Sequence, residues 1–98
     1  MDKITALSQL KSHEAELRRM GVASLSLFGS TARGEAGPGS DIDLAATFAD
    51  EAHVGLFAFA GIAARLHDLL GVHVDLVGEP ARKPAMQAQI DRDRVRVF

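Results

Sequence analysis

The sequence predicts an α/β (α+β) fold, a small mixed β-sheet flanked by helices. Short apolar runs at Val22–Phe28, Asp41–Phe48 and Val72–Gly78 read as strands, and stretches with apolar residues at helical spacing lie before, between and after them. Glycine, proline and serine mark the changeovers. Ninety-eight residues are expected to form one domain, 1–98, whose core buries roughly 65 % of the unfolded surface.

Taken in order, Ile4, Leu7, Leu10, Glu14 and Leu17 fall at helical spacing, with Lys11, Glu14, Glu16, Arg18 and Arg19 supplying a polar face. Asp2 suits the N-cap of this helix and Gly21 its C′ position. Val22 to Phe28 is small and apolar almost throughout, which predicts a strand covered on both faces. Gly29 and Ser30 follow at once, and Thr31 to Gly34 can form a helical turn. Glu35-Ala36-Gly37-Pro38-Gly39-Ser40 reads as a loop. Asp41 to Phe48 is the second strand, with Ile42, Leu44 and Ala46 facing away from the two acids.

A helix is predicted from Asp50 or Glu51 to Leu70, stopped by Gly71. Phe59, Ile62, Ala63, Leu66, Leu69 and Leu70 form its core stripe. Phe57 falls opposite that stripe at about 100° per residue, which makes Phe57 and Val54 candidates for a partner surface. Val72 to Gly78 is the third strand, with His73, Asp75 and Val77 on one face. Pro80 and Pro84 precede a last helix over Ala85–Asp91, and Val95–Phe98 can add an edge strand.

Composition excludes several classes of function. A net charge of −2 without a basic run, and the lack of Tyr and Trp, leave neither a cationic face nor stacking platforms for nucleic acid, so no direct nucleic-acid ligand is expected. Without cysteine there are no disulfides or thiolate ligands. No membrane span or basic-then-apolar leader is visible, which predicts a cytoplasmic location by elimination. Neither a P-loop nor a Gly-x-Gly-x-x-Gly fingerprint occurs.

The chemistry-bearing stretch is Leu27-Phe28-Gly29-Ser30-Thr31-Ala32-Arg33-Gly34 followed by Asp41-Ile42-Asp43-Leu44. Period-2 geometry places Asp41 and Asp43 on one strand face, roughly 6–7 Å apart. At an effective dielectric of about 20 they repel by roughly 2–3 kcal/mol. A divalent cation offsets that repulsion and uses it. The Gly29-Ser30 turn offers backbone N–H groups and a hydroxyl beside the acids, a cradle for phosphate. The histidines (His13, His53, His67 and His73) form no His–His metal motif. His73 shares a face with Asp75 and can orient it, or is an ordinary half-buried strand histidine.

Gly29-Ser30, ten intervening residues and then Asp41-x-Asp43 resemble the signature of the DNA polymerase beta-like nucleotidyltransferases. The fuller string Gly-Ser-x-Ala-Arg-Gly…Ser-Asp-Ile-Asp-Leu is similar to that of the minimal nucleotidyltransferase (MNT) branch, and the resemblance covers nearly the whole chain. It implies Asp41, Asp43 and Asp75 as a catalytic, metal-holding triad. It also implies Gly29, Ser30 and Arg33 at the nucleotide, although Arg33 can equally pin the loop through Glu35 or an Asp. Magnesium, with a second ion about 3.5–4 Å away, is the implied cofactor, Asp75 being its ligand or the base. ATP is the implied substrate.

The activity implied is transfer of AMP to a hydroxyl, a tyrosine, of a HEPN-domain toxin, with this chain as antitoxin in a homo- or hetero-oligomer. A short chain with little room for a second substrate domain agrees with a substrate brought by another protein. Two alternatives stay open: a binding module that neutralises its partner by complex formation alone, and transfer to a small molecule.

Overall fold

The computed structural model describes residues 1–98. Asp2 caps α1 (Lys3–Ser12), its Oδ1 accepting from the Thr5 N–H at 2.7 Å. The predicted single helix is broken at His13, and a second segment, α2, runs Glu14–Arg19. The cause lies in the side chains: Ser12 Oγ donates to the Gln9 carbonyl at 2.7 Å, and His13 Nδ1 reaches the same oxygen at 2.8 Å. Polar side chains thus take the carbonyl that the next turn needs. Ala6, Leu10 and Leu17 are buried, whereas Ile4 is 80 % exposed.

Strand β1 (Val22–Phe28) passes directly into the four-residue helix α3 (Gly29–Ala32), which starts two residues earlier than the sequence suggests. Strand β2 (Ile42–Phe48) follows the glycine-rich loop. The predicted long helix is a 3-10 turn at Asp50–Ala52 and then α4 (Leu56–Leu70). Between them His53 takes a left-handed conformation and Val54 packs against the core, so Val54 is not part of an open surface. Phe57 is 93 % exposed, as its place on the helical wheel requires, while Ile62, Leu66 and Leu70 are buried. Strand β3 (Val74–Gly78), helix α5 (Pro84–Asp93) and the short strand β4 (Val95–Arg96) complete the chain.

The sheet order is β3-β2-β1-β4. β1 pairs antiparallel with β2 and β4, and β2 pairs parallel with β3, so the sheet is mixed. Alternation divides its side chains. Leu25, Leu27, Ile42, Leu44, Ala46 and Val74 face the main core, with Leu10, Leu17, Ile62 and Leu66 from the helices. Phe28 and Ala45 face the other way and meet Ile90 of α5 in a smaller cluster. Asp43 and Asp75 lie on this second face, at the end of the sheet where β2 and β3 begin.

Candidate active site

The chain brings three elements to one end of the sheet. β1 delivers Gly29 and Ser30 at its C-terminal end, and β2 and β3 deliver their acids at their N-terminal ends. Because β2 and β3 are parallel and in register, Asp43 sits directly beside Asp75, and Phe28 stands opposite Asp43 on the other side. Gly29, with φ of +74°, turns the chain over Asp43. A Cβ there would overlap Asp43 Oδ2 and stand 3.1 Å from Asp43 Cγ, so the turn lies against the carboxylate.

Asp41, one residue ahead of β2, is brought to the same place from the loop. His73 Nδ1 lies 3.4 Å from Asp41 Oδ1 and 3.7 Å from Asp75 Oδ1. Asp41, His73 and Asp75 each present a ligand atom within 4.8 Å of the others, all three exposed. His73 is therefore not a half-buried strand histidine: it is solvent-facing, just ahead of β3, with Nδ1 near two of the three acids. Its spacing from Asp75 was the signal in the sequence, but its reach to Asp41 depends on the pairing of β2 with β3.

The half-buried Asp43 carries the electrostatic cost. Burial, then Asp75 and Asp41, raise its pKa above the ordinary carboxylate value, and Arg33 only partly opposes them. Gathered oxygen donors with one member pushed toward protonation are the chemistry a hard divalent cation relieves. An imidazole nitrogen beside them is compatible with such an ion. The donor set fits a magnesium-type site.

Arg33 is paired on two sides: Nη1 donates to Asp93 Oδ2 at 2.6 Å and Nε to Glu35 Oε1 at 3.2 Å. The Asp93 side chain is 3 % exposed and also accepts from Arg92. This clamp ties the loop after α3 to the end of α5. Asp93 gave no sign in the sequence, because sixty residues separate it from Arg33. Ser40 braces the glycine-rich loop, its Oγ accepting from the Gly37 N–H at 3.0 Å. Next to Ser30, Thr31 Oγ1 is buried without a hydrogen-bond partner.

A Gly-Ser turn laid over an Asp-x-Asp strand, with a third acid on the adjacent parallel strand, defines the class as nucleotidyl-transferring enzymes. The chain belongs to the nucleotidyltransferase domain family, which residues 10–97 match. It is 38 % identical over 91 residues to the protein adenylyltransferase MntA of Thermococcus cleftensis, covering 92 % of this chain and 90 % of the relative. A protein solved as a candidate minimal nucleotidyltransferase superposes with a TM-score of 0.80 at 34 % identity, covering 97 % of this chain and 95 % of that one. A chain from a toxin–antitoxin crystal structure with AMP-PNP superposes at 0.73 with 25 % identity, covering 90 % and 72 %. The protein is thus an enzyme, a nucleotidyltransferase with MntA-like relatives of the minimal type. No helix is long and apolar enough to cross a membrane.

Proposed function

We propose that the chain transfers AMP from ATP to the hydroxyl of a tyrosine in a partner protein, and that the partner is a HEPN-domain toxin for which this chain is the antitoxin. The observation that carries the reading is the gathering of Asp41, Asp43 and Asp75 at one end of the sheet beside the Gly29-Ser30 turn. Its relatives support it: one is named a protein adenylyltransferase, and another lies in a toxin–antitoxin structure with AMP-PNP. The HEPN partner and the tyrosine are what the resemblance to the minimal branch implies.

In this mechanism Ser30 donates its hydroxyl to the β- and γ-phosphates, with the turn's free N–H groups beside it. Asp41, Asp43 and Asp75 would hold magnesium, with His73 in reach as a further donor. When bound, the ion would supply neutralisation of triphosphate charge and a more acidic incoming hydroxyl. Asp75 receives the proton of that hydroxyl as it attacks the α-phosphorus, and pyrophosphate leaves. Arg33, paired with Glu35 and Asp93, ties the loop after the turn to the end of α5. Most of the rate acceleration is positioning and charge neutralisation.

The test is incubation with magnesium, ATP labelled on its α-phosphate and the protein encoded by the neighbouring gene. Label is expected on the partner and is lost with Asp41→Asn/Asp43→Asn. Neutralisation of the partner by that double variant, without label, would replace transfer with simple complex formation.

A further inference from the structure

The Gly29-Ser30 turn is held by the residues that follow it. The Arg33 N–H donates to the Gly29 carbonyl at 3.2 Å, and the Glu35 N–H donates to the Ser30 carbonyl at 2.9 Å. The side chains of the same two residues are joined, Arg33 Nε reaching the two Glu35 carboxylate oxygens at 3.2 and 3.3 Å. From this pair one short contact leaves the turn altogether, the bond from Arg33 Nη1 to Asp93 Oδ2. We propose that Asp93 is a positioning residue of the transferase, and that through Arg33 it fixes the Gly29-Ser30 turn against Asp43 in the geometry a nucleoside triphosphate needs. This deepens the transferase reading and rests on it.

The turn needs an anchor because of its size. Helix α3 has four residues, too few to keep its shape without tertiary contacts. Beyond Arg33 the chain enters the loop with Gly34, Gly37 and Gly39 exposed, and glycines supply little rigidity. Asp93 is the opposite kind of residue. It is buried at the end of α5, and its neighbours in sequence are fixed to β1 on both sides of it. Three residues earlier Ile90 packs in one cluster with Phe28 and Ala45, and two residues later Val95 pairs with Leu27. Phe28 is the residue from which the turn departs, so the Asp93 carboxylate is held in register with the strand that delivers Gly29 and Ser30.

Charge makes the link strong. A buried carboxylate without cations beside it is costly, so Asp93 draws in two guanidinium groups. Arg33 donates to Oδ2, while Arg92 donates from Nε to Oδ1 at 3.0 Å and from Nη2 to Oδ2 at 3.3 Å. The two arginines differ in what lies behind them. Arg92 bonds to Asp93 alone, whereas the Arg33 backbone carries the Gly29 carbonyl. Glu35 and Asp93 together neutralise the Arg33 charge, which favours a positioning part for Arg33 over a direct phosphate contact. The guanidinium still lies within electrostatic reach of the acids, since it opposes the rise of the Asp43 pKa.

Calorimetry with magnesium compares AMP-PNP, which carries β- and γ-phosphates, with AMP, which lacks them. Asp93→Asn is expected to weaken AMP-PNP about tenfold, the scale of one misplaced hydrogen bond to a charged group, and AMP by less than about twofold. A general loss of fold would weaken both alike. Arg92→Gln is expected to leave both affinities within about twofold, and adding Arg33→Gln to Asp93→Asn to lower AMP-PNP affinity by no more than about a further twofold. Amide hydrogen exchange at Arg33 and Glu35 is expected to quicken about tenfold in Asp93→Asn while that of Leu27 holds. Equal weakening of AMP-PNP and AMP, an additive loss in the double variant, or a loss in Arg92→Gln as large as that in Asp93→Asn overturns the proposal. Should Asp93→Asn not fold, Arg33→Gln breaks the same link from its more exposed end, and unchanged exchange at Glu35 then overturns it. If AMP-PNP fails to bind the wild-type chain, the transferase reading falls and this proposal with it, whereas wild-type binding that is undiminished in Asp93→Asn sinks this proposal alone.

Discussion

Gly29 lies against Asp43 so closely that a single added methyl group would occupy the space of the Asp43 carboxylate. The Gly29-Ser30 turn and the acidic strand are thus one packed unit. Gly29→Ala is expected to lower transfer about 100-fold, the scale of a misplacement near 1 Å. Gly34→Ala is the control: Gly34 also has positive φ, +75°, but an added Cβ meets nothing within 4 Å. It adds roughly 1–2 kcal/mol of backbone strain without displacing an acid. Steady-state rates of the two variants separate collision from strain, and equal losses would contradict the packing argument.

Asp43→Asn removes one of the crowded charges from the half-buried position. Without magnesium it is expected to stabilise the fold by about 1 kcal/mol after solvent screening, raising Tm by roughly 4–8 °C. The same variant should lose the stabilisation that magnesium and nucleotide give the wild-type protein. Thermal melts with and without magnesium check both. A lower Tm for metal-free Asp43→Asn would mean that the acids do not strain the fold.

The Arg33–Asp93 pair sets an acid limit. Arg92 foremost, and Arg33 after it, lower the Asp93 pKa despite the opposing effect of burial. A carboxyl with a depressed folded-state pKa stabilises above its unfolded value, and that contribution is lost as pH falls through the folded value. Arg33→Gln is therefore expected to melt earlier than wild type at neutral pH, with the gap narrowing below about pH 4. A pH-independent gap in Tm would show that Arg33 acts by packing rather than by charge.

Two phenylalanines two positions apart on α4 should behave oppositely. Phe57→Ser is expected to change stability by less than about 0.5 kcal/mol. Phe59, whose ring meets Phe48 edge-on with centroids 5.8 Å apart, is expected to cost roughly 2 kcal/mol or more as Phe59→Ser. Denaturant midpoints distinguish them.

Much of this molecule was legible in the residues. The three main strands, the Asp2 cap, the inward stripe of α4 and the outward Phe57 follow from period and capping alone. The break at His13 was not legible, because it depends on which side chain wins the Gln9 carbonyl. Val54 pulled inward, splitting the predicted helix, is likewise a consequence of tertiary packing. At the candidate site, the alternation of β2 and β3 places Asp43 and Asp75 correctly, yet only the parallel register brings His73 to Asp41. Asp93 could not be assigned to Arg33 by any local pattern.

Calorimetric titration of magnesium and AMP-PNP into the wild-type chain tests most directly whether the three acids and the serine turn form one nucleotide site. A saturable heat is predicted that requires magnesium and is absent from Asp41→Asn/Asp43→Asn. Binding of equal strength without magnesium, or undiminished in the double variant, would contradict it.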